Sequence, residues 1–238
     1  MLNNFKFIFF IIFFLFSFNY VSYGNDQFNF DVTEVEITEN GNRFKGVKRG
    51  VITTDDGLII DANTFDYNKI NNILKANGDV KINDTKNGVI IYSDEVTYLK
   101  DEEKVFTKNG SEATNKNFII TADKFYYDKL SNILKANDDV KFNDTKKDII
   151  IYTEDATYLI NEEKVFTKNG SQATDNELII TADKFYYDRL SNILKANDDV
   201  KIDDTIKDIL VYSDEITYFK GQNKVLTKGN TKAIIESK

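Results

Sequence analysis

The feature that most constrains this chain is a tandem repeat with a period of 60 residues. Three copies follow one another without an insertion, at residues 58–117, 118–177 and 178–238. Residues 121–141 and 181–201 agree at 20 of 21 positions, and the single change, from Lys129 to Arg189, keeps the positive charge. Repetition of this kind predicts one supersecondary unit stacked along an axis, and therefore an elongated molecule.

Each copy divides into two similar halves of about 30 residues. Within a half, runs rich in β-branched and aromatic residues are separated by polar breaks such as Asp128-Lys129 and Asn137-Asp138-Asp139, which are typical of turns. Between Leu134 and Phe142 apolar and polar side chains alternate, as on a strand with one buried face. Each half therefore predicts a pair of strands, and the whole chain an all-β, elongated and twisted β-jelly-roll or solenoid.

A two-stranded unit cannot bury its apolar face alone, so successive units must stack to build a continuous interior. Such a stack has two ends where backbone donors and acceptors lack partners. The sequence places the candidate ends near Lys232 to Ser237 and near Val51 to Asp61. These edges are natural sites for strand addition, which predicts docking to partner proteins and head-to-tail assembly of copies of this chain.

The N-terminal segment differs from everything after it. Lys6 precedes the apolar run Phe7 to Phe18, and Ser22-Tyr23-Gly24 offers small residues for a signal peptidase. We therefore expect a signal peptide at 1–24, a lead-in segment at 25–50 and the β repeat domain at 51–238. The alternative is an uncleaved membrane anchor, although the apolar run is shorter than the roughly 20 residues that span a bilayer.

The amino-acid composition argues against most kinds of enzymatic catalysis. The chain has no His and no Cys, so imidazole bases, thiolate nucleophiles and soft metal ligands are absent. Its 31 basic and 39 acidic residues give a net charge of -8, which argues against nucleic acid as a partner. Acidic clusters such as Asp138-Asp139 lack the ligand spacing of a calcium loop. The sequence thus predicts a non-enzyme without cofactor or metal.

One string recurs in all three copies: Ile-x-Ala-Asp, then a Tyr five residues beyond the Ala, then Leu-x-Ala-Asn-Gly/Asp-Asp-Val-Lys. It resembles the OstA-like (LptA-type) family of periplasmic lipopolysaccharide-transport proteins, over about residues 51–235. Two departures stand out. Asn63 replaces the Asp of the later copies, and Gly78 is replaced by Asp138 and Asp198, which indicates a backbone turn where Asp adopts a left-handed or bridge conformation.

The resemblance implies a twisted jelly-roll or taco-like groove that shelters the acyl chains of lipopolysaccharide in the periplasm. It also implies end-to-end docking with inner-membrane and outer-membrane transport components. The alternatives are a sealed structural or adhesive scaffold that binds no lipid, and a membrane-tethered member of the same machinery.

The expected groove lining is the set of aliphatic, small and aromatic residues on the apolar side of the repeated strands. Small Ala leaves room for a hydrocarbon chain, while the larger neighbours contact it. The same residues could instead pack against one another as a closed core, as apolar faces usually do. The set is Ile60, Ala62, Leu74, Ala76, Val80, Ile82, Ile120, Ala122, Leu134, Ala136, Val140, Phe142, Ile180, Ala182, Leu194, Ala196, Val200 and Ile202.

Overall fold

The computed structural model describes residues 28–176 and 178–235. The expected signal peptide at 1–24 and Ser237 lie outside these residues. Within the described part no helix is long and apolar enough to cross a membrane. The strands are β1 (Phe28–Val32), β2 (Val35–Thr38), β3 (Arg43–Gly46), β4 (Gly50–Thr54), β5 (Leu58–Ala62), β6 (Thr64–Asn68), β7 (Ile73–Asp84), β8 (Val89–Leu99), β9 (Lys104–Thr114), β10 (Phe118–Ala122), β11 (Lys124–Asp128), β12 (Ile133–Asp144), β13 (Ile149–Leu159), β14 (Lys164–Asp175), β15 (Leu178–Ala182), β16 (Lys184–Asp188), β17 (Ile193–Asp204), β18 (Ile209–Phe219), β19 (Lys224–Lys228) and β20 (Lys232–Ile235). Short 3-10 turns occupy Glu39–Gly41, Lys100–Glu102, Ile160–Glu162 and Lys220–Gln222.

The strands form one continuous antiparallel sheet, which confirms the predicted all-β fold. Six pairs of short strands each act as one bent segment; β10 and β11, for example, pair together with β12. Counted this way, the described chain runs through fourteen segments, and each pairs with its neighbours in sequence. The lead-in segment takes part, because β1 pairs with β4 and β2 with β3.

One predicted end of the stack is wrong. Val51 to Asp61 was expected at an edge, but β4 lies between β1 and β5 and is paired on both sides. The reason is that the lead-in segment supplies one more antiparallel segment before the recognisable repeats. The first edge of the described sheet is therefore formed by β1 and β2, and the last by β19 and β20.

The alternation read from the sequence matches the burial. Along β12, Leu134, Ala136, Val140 and Phe142 are buried, whereas Lys135 and its polar neighbours are partly or fully exposed. The side-chain period of two thus places one face of every long strand in the interior.

The polar break Asn137 to Asp139 is not a turn between strands, as the sequence had suggested. It lies in the middle of β12 as a β-bulge, where the register against β13 shifts between Asn137 and Val140. Asp138 and Asp139 have φ of 64° and 51°, and Gly78 at the equivalent place has φ of 78°. The left-handed backbone expected for Asp138 is therefore present, and it bends the strand while both halves keep their apolar side inward.

The sheet folds over on itself along these bends. β7 ends at Asp84 and β11 ends at Asp128, three segments later, so the two strands run in opposite directions and their ends lie at opposite borders of a flat sheet. Yet Tyr127 on β11 donates a hydrogen bond of 2.9 Å to Asp84. The two borders must therefore meet, and the apolar face is enclosed between the halves of each bent segment. The buried residues form one cluster that includes members of all three copies.

Candidate functional site

The interior is the first part of the candidate site. All eighteen residues expected to line a groove belong to the single buried cluster, and none exceeds 6% exposure. They come from equivalent strands of the three copies, such as Ile60, Ile120 and Ile180. The fold thus brings the whole set onto one inward face. That these residues contact lipid stays a prediction.

The interior is tightly packed beside Leu194. A crevice among Ile149, Ile180, Leu194 and Tyr218 is too small for a water molecule, which requires at least roughly 10–15 Å³, and a hydrocarbon chain needs far more space. In this conformation a guest molecule at that point would have to displace packed side chains.

The second part of the site is the line where the two borders of the folded sheet meet, which we name the seam. Its first lip consists of the turns that follow the odd-numbered segments: 39–42, 69–72, 100–103, 129–132, 160–163, 189–192 and 220–223. Its second lip consists of turns that follow the even-numbered segments: 55–57, 85–88, 115–117, 145–148 and 205–208. Backbone bonds join neighbouring turns within a lip, as from Lys129 N–H to the Glu103 carbonyl (3.1 Å) and from Thr145 N–H to the Asn117 carbonyl (3.2 Å).

Side chains join the two lips around Asp144, whose exposure is 0%. Tyr187 donates to Asp144 Oδ2 at 2.9 Å, and Arg189 donates from Nε to the same oxygen at 2.8 Å and from Nη2 to Oδ1 at 3.2 Å. Arg189 also donates to the Tyr158 hydroxyl (3.1 Å) and to Glu163 (3.2 Å). One buried guanidinium therefore contacts both lips.

The same arrangement recurs on either side. In the preceding copy Tyr127 donates to Asp84, and Lys129, which is 4% exposed, pairs with Asp56 of the second lip and with Glu103 of the first. Half a repeat beyond Asp144, Asp175 accepts hydrogen bonds from Tyr218 at 2.6 Å and from Lys220. The cross-seam sets thus repeat along the molecule.

Burial governs the ionisation of this network. Burial first, and then the Asp144 carboxylate, raises the pKa of Tyr187 well above its usual range, and Tyr127 is raised in the same way by burial and Asp84. Burial raises the pKa of Tyr158 to about 12 and lowers the pKa of Lys129 to about 8. Burial alone would lower the pKa of Arg189, but its hydrogen bonds to Asp144 and Tyr158 more than offset this and raise it. The tyrosines are therefore neutral hydrogen-bond donors at neutral pH.

Sequence reasoning missed the seam. The sequence showed only that the change from Lys129 to Arg189 keeps the positive charge, whereas in the structure both side chains are buried cations. A usable signal was present in the spacing, because four Asp residues at the second lip are each followed by a Tyr 43 residues later and by a cation 45 residues later. That pattern holds for the sets Asp55, Tyr98, Lys100; Asp84, Tyr127, Lys129; Asp144, Tyr187, Arg189; and Asp175, Tyr218, Lys220.

The two edges of the sheet form the third part of the site. On the first edge Ile37 of β2 is 59% exposed, and on the last edge Leu226 of β19 and Ile235 of β20 are 47% and 71% exposed. β20 is the strand expected near Lys232, and among the strands that the structure describes it pairs only with β18. Apolar side chains therefore accompany unpaired backbone at both edges of the described sheet. No group of three acidic residues in residues 28–176 and 178–235 is arranged to hold a metal ion.

The fold and site define a closed antiparallel β roll built from repeated strand pairs. No family model and no curated protein matches the chain. Among solved structures it is similar to LptH, the LptA-homologous periplasmic component of the lipopolysaccharide transport device of Pseudomonas aeruginosa, with a TM-score of 0.26 and 10% sequence identity. The match covers 89% of this chain and 96% of LptH. The strand pairing of the chain itself shows the antiparallel β architecture.

Proposed function

We propose that this chain is a non-catalytic periplasmic carrier that shelters the acyl chains of lipopolysaccharide on the way to the outer membrane. One observation carries the proposal: a single apolar interior extends through all three copies. With fourteen segments at about 4.8 Å spacing, that interior is about 60 Å long.

The physical reason is the cost of exposing hydrocarbon to water. At about 0.8 kcal/mol per methylene, a chain of about 12 carbons costs on the order of 10 kcal/mol to leave in water. A long apolar interior replaces that one large barrier with a series of small steps between similar sites. The repeats supply such sites, since Leu74, Leu134 and Leu194 occupy equivalent inward positions.

A sealed structural scaffold is the second candidate, and the packing favours it. The interior residues are almost fully buried, and the crevice beside Leu194 admits no water. The two candidates differ in one requirement. A carrier must open to admit a guest, whereas a scaffold never exposes its interior.

A photoreactive leucine analogue separates the two functions. It would be placed at Leu134, which is 1% exposed, in living cells that make lipopolysaccharide. We expect crosslinks to lipid at this position. The control is Phe166, which lies on the outer face of β14 away from the turns of the seam and is 39% exposed; the same analogue there should give far fewer lipid crosslinks. Crosslinks from Leu134 to this protein alone would contradict the carrier function and favour the scaffold.

The location and partners are part of the same proposal. Export with cleavage after Gly24 predicts Asn25 as the first residue of the mature protein, which N-terminal sequencing of the periplasmic fraction would test. We further propose that the edges formed by β1–β2 and β19–β20 receive strands of inner-membrane and outer-membrane components, or of a second copy. Ala233→Pro should weaken docking at the last edge while leaving acyl binding intact.

A further inference from the structure

We infer that the seam is the lateral entry route of the roll, and that acyl chains reach the interior when the two lips separate. This inference rests on the proposed carrier function for its ligand, but the opening itself is a property of the protein. It requires that the seam be the weakest connection around the interior, that its strength vary along its length, and that its rim suit an apolar chain.

The seam is held differently from the rest of the wall. Around the bends, the long strands continue through their register shifts, as β12 does between Asn137 and Val140, and ladder hydrogen bonds join β13 to both of its neighbours. Across the seam, no backbone-to-backbone hydrogen bond joins the lips in the described residues. Every cross-seam bond involves a side chain, such as Tyr127 to Asp84 or Arg189 to the Asn117 carbonyl at 2.9 Å. The lips can therefore separate without breaking the sheet.

The seam also has a weak point near its middle. At the spacing of 43 and 45 residues, the set between Asp84 and Asp144 consists of Asn115, Tyr158 and Ile160, so both the acid and the cation are replaced. The Asn115 side-chain oxygen accepts from the N–H groups of its own turn instead. Tyr158 accepts its hydrogen bond from Arg189 of the next set. Arg189 of the next set is the cation that holds the lips there, so the seam is weakest between the Asp84 and Asp144 sets.

The rim carries aliphatic side chains at regular intervals. Ile70, Leu130 and Leu190 occupy equivalent turns of the first lip, 60 residues apart, and are 69%, 70% and 70% exposed. Turns of this kind favour Asn, Asp, Gly and Ser, so an exposed aliphatic residue in all three is not explained by turn chemistry. These side chains would be the first apolar contacts of an incoming chain.

Crosslinking tests the route, and the absence of Cys makes introduced thiols unique. Lys86→Cys with Leu130→Cys places thiols on opposite lips, beside the contact of Asn87 Nδ2 with the Lys129 carbonyl at 3.3 Å. Glu102→Cys with Leu130→Cys places them on neighbouring turns of the first lip. After reaction with a short bismaleimide, uptake of a fluorescent fatty-acyl probe should slow at least tenfold in the first variant and remain unchanged in the second. Equal uptake rates in both variants would overturn the inference while leaving the carrier function intact.

A measurement without lipid keeps the inference testable if no probe binds. Spin labels at Lys86 and Leu130 report the distance between the lips, and labels at Leu130 and Leu190 report a distance within one lip. Tyr127→Phe removes only the hydroxyl that binds Asp84. We expect this change to broaden and lengthen the cross-seam distance distribution and to leave the within-lip distribution unaltered. If both distributions match those of the unmodified seam, the lips do not open there and the inference is wrong.

Discussion

Replacing Arg189 with Met tests the energetic role of the seam most directly. Met approximates the volume of the side chain and removes its charge and its hydrogen bonds to Asp144, Tyr158, Glu163 and the Asn117 carbonyl. Removing one partner of a buried ion pair costs about 3–5 kcal/mol, because the other charge is left uncompensated. Asp144 retains the Tyr187 hydroxyl and two backbone N–H donors at 3.1 Å, so we expect the lower end, about 3 kcal/mol.

Urea unfolding followed by circular dichroism provides the measurement, with the free energy taken from the midpoint and slope. The double variant Asp144→Asn with Arg189→Met removes both charges and should recover most of the loss, to within about 1 kcal/mol of the starting protein. Lys184→Met is the matched surface control, because Lys184 and Asp198 form an ion pair whose side chains are 60% and 57% exposed. That control should barely move the midpoint.

Two results would refute the reasoning. If Arg189→Met cost less than about 1 kcal/mol at an unchanged slope, the buried pair would not hold the lips together. If the double variant were as unstable as the single one, the loss would come from packing and not from the uncompensated Asp144 charge. Arg189→Lys gives an intermediate case, since Lys129 shows that an ammonium fits the equivalent position.

Three further outcomes follow from the same structure. The pKa of Tyr187 in the folded protein is raised above the unfolded value of about 10. The hydroxyl therefore stabilises the fold fully below pH 10, and this stabilisation is lost as the pH rises further. Tyr187→Phe should reduce the fall of the urea midpoint between about pH 10 and 12. Asp138 has φ of 64°, so Asp138→Val should cost about 1–2 kcal/mol, whereas Asp138→Gly should be tolerated as Gly78 is. Leu134→Ala should cost about 2–5 kcal/mol in thermal or urea unfolding, against less than about 0.5 kcal/mol for the exposed Leu130→Ala.

The fold could be predicted because its main determinants are local and repeated. Alternation along residues such as Leu134, Ala136 and Phe142 fixes which face is buried, and the period fixes how often the pattern recurs. The bulge at Asp138 was mistaken for a turn, because the same residues favour both conformations and only the pairing with β13 tells them apart. The extra strands before Val51 were missed because that segment matches the repeated string least.

The seam could not be read in the same way, because its partners lie 43 and 45 residues apart and meet only after the sheet has folded over. Local patterns carry no information on contacts of that range. Tyrosines such as Tyr158 and Tyr187 are 1% and 0% exposed although each carries a polar hydroxyl. Their hydroxyls reach polar partners only because the opposite lip supplies them.

The spacing of the seam also explains how a highly repetitive sheet selects one register for its two borders. Neighbouring apolar sites are nearly identical, so sliding one lip past the other by half a repeat would cost little in the interior. The polar sets differ, however, since the same slip would place Asn115 opposite Tyr127 and Lys129, and would leave Asp144 facing Tyr158 and Ile160. A carboxylate at 0% exposure would then lose its cation, which is the costly outcome for a buried charge. Buried polar groups thus specify the alignment that the apolar interior cannot, and they do so with side-chain contacts that leave the sheet intact when the lips separate.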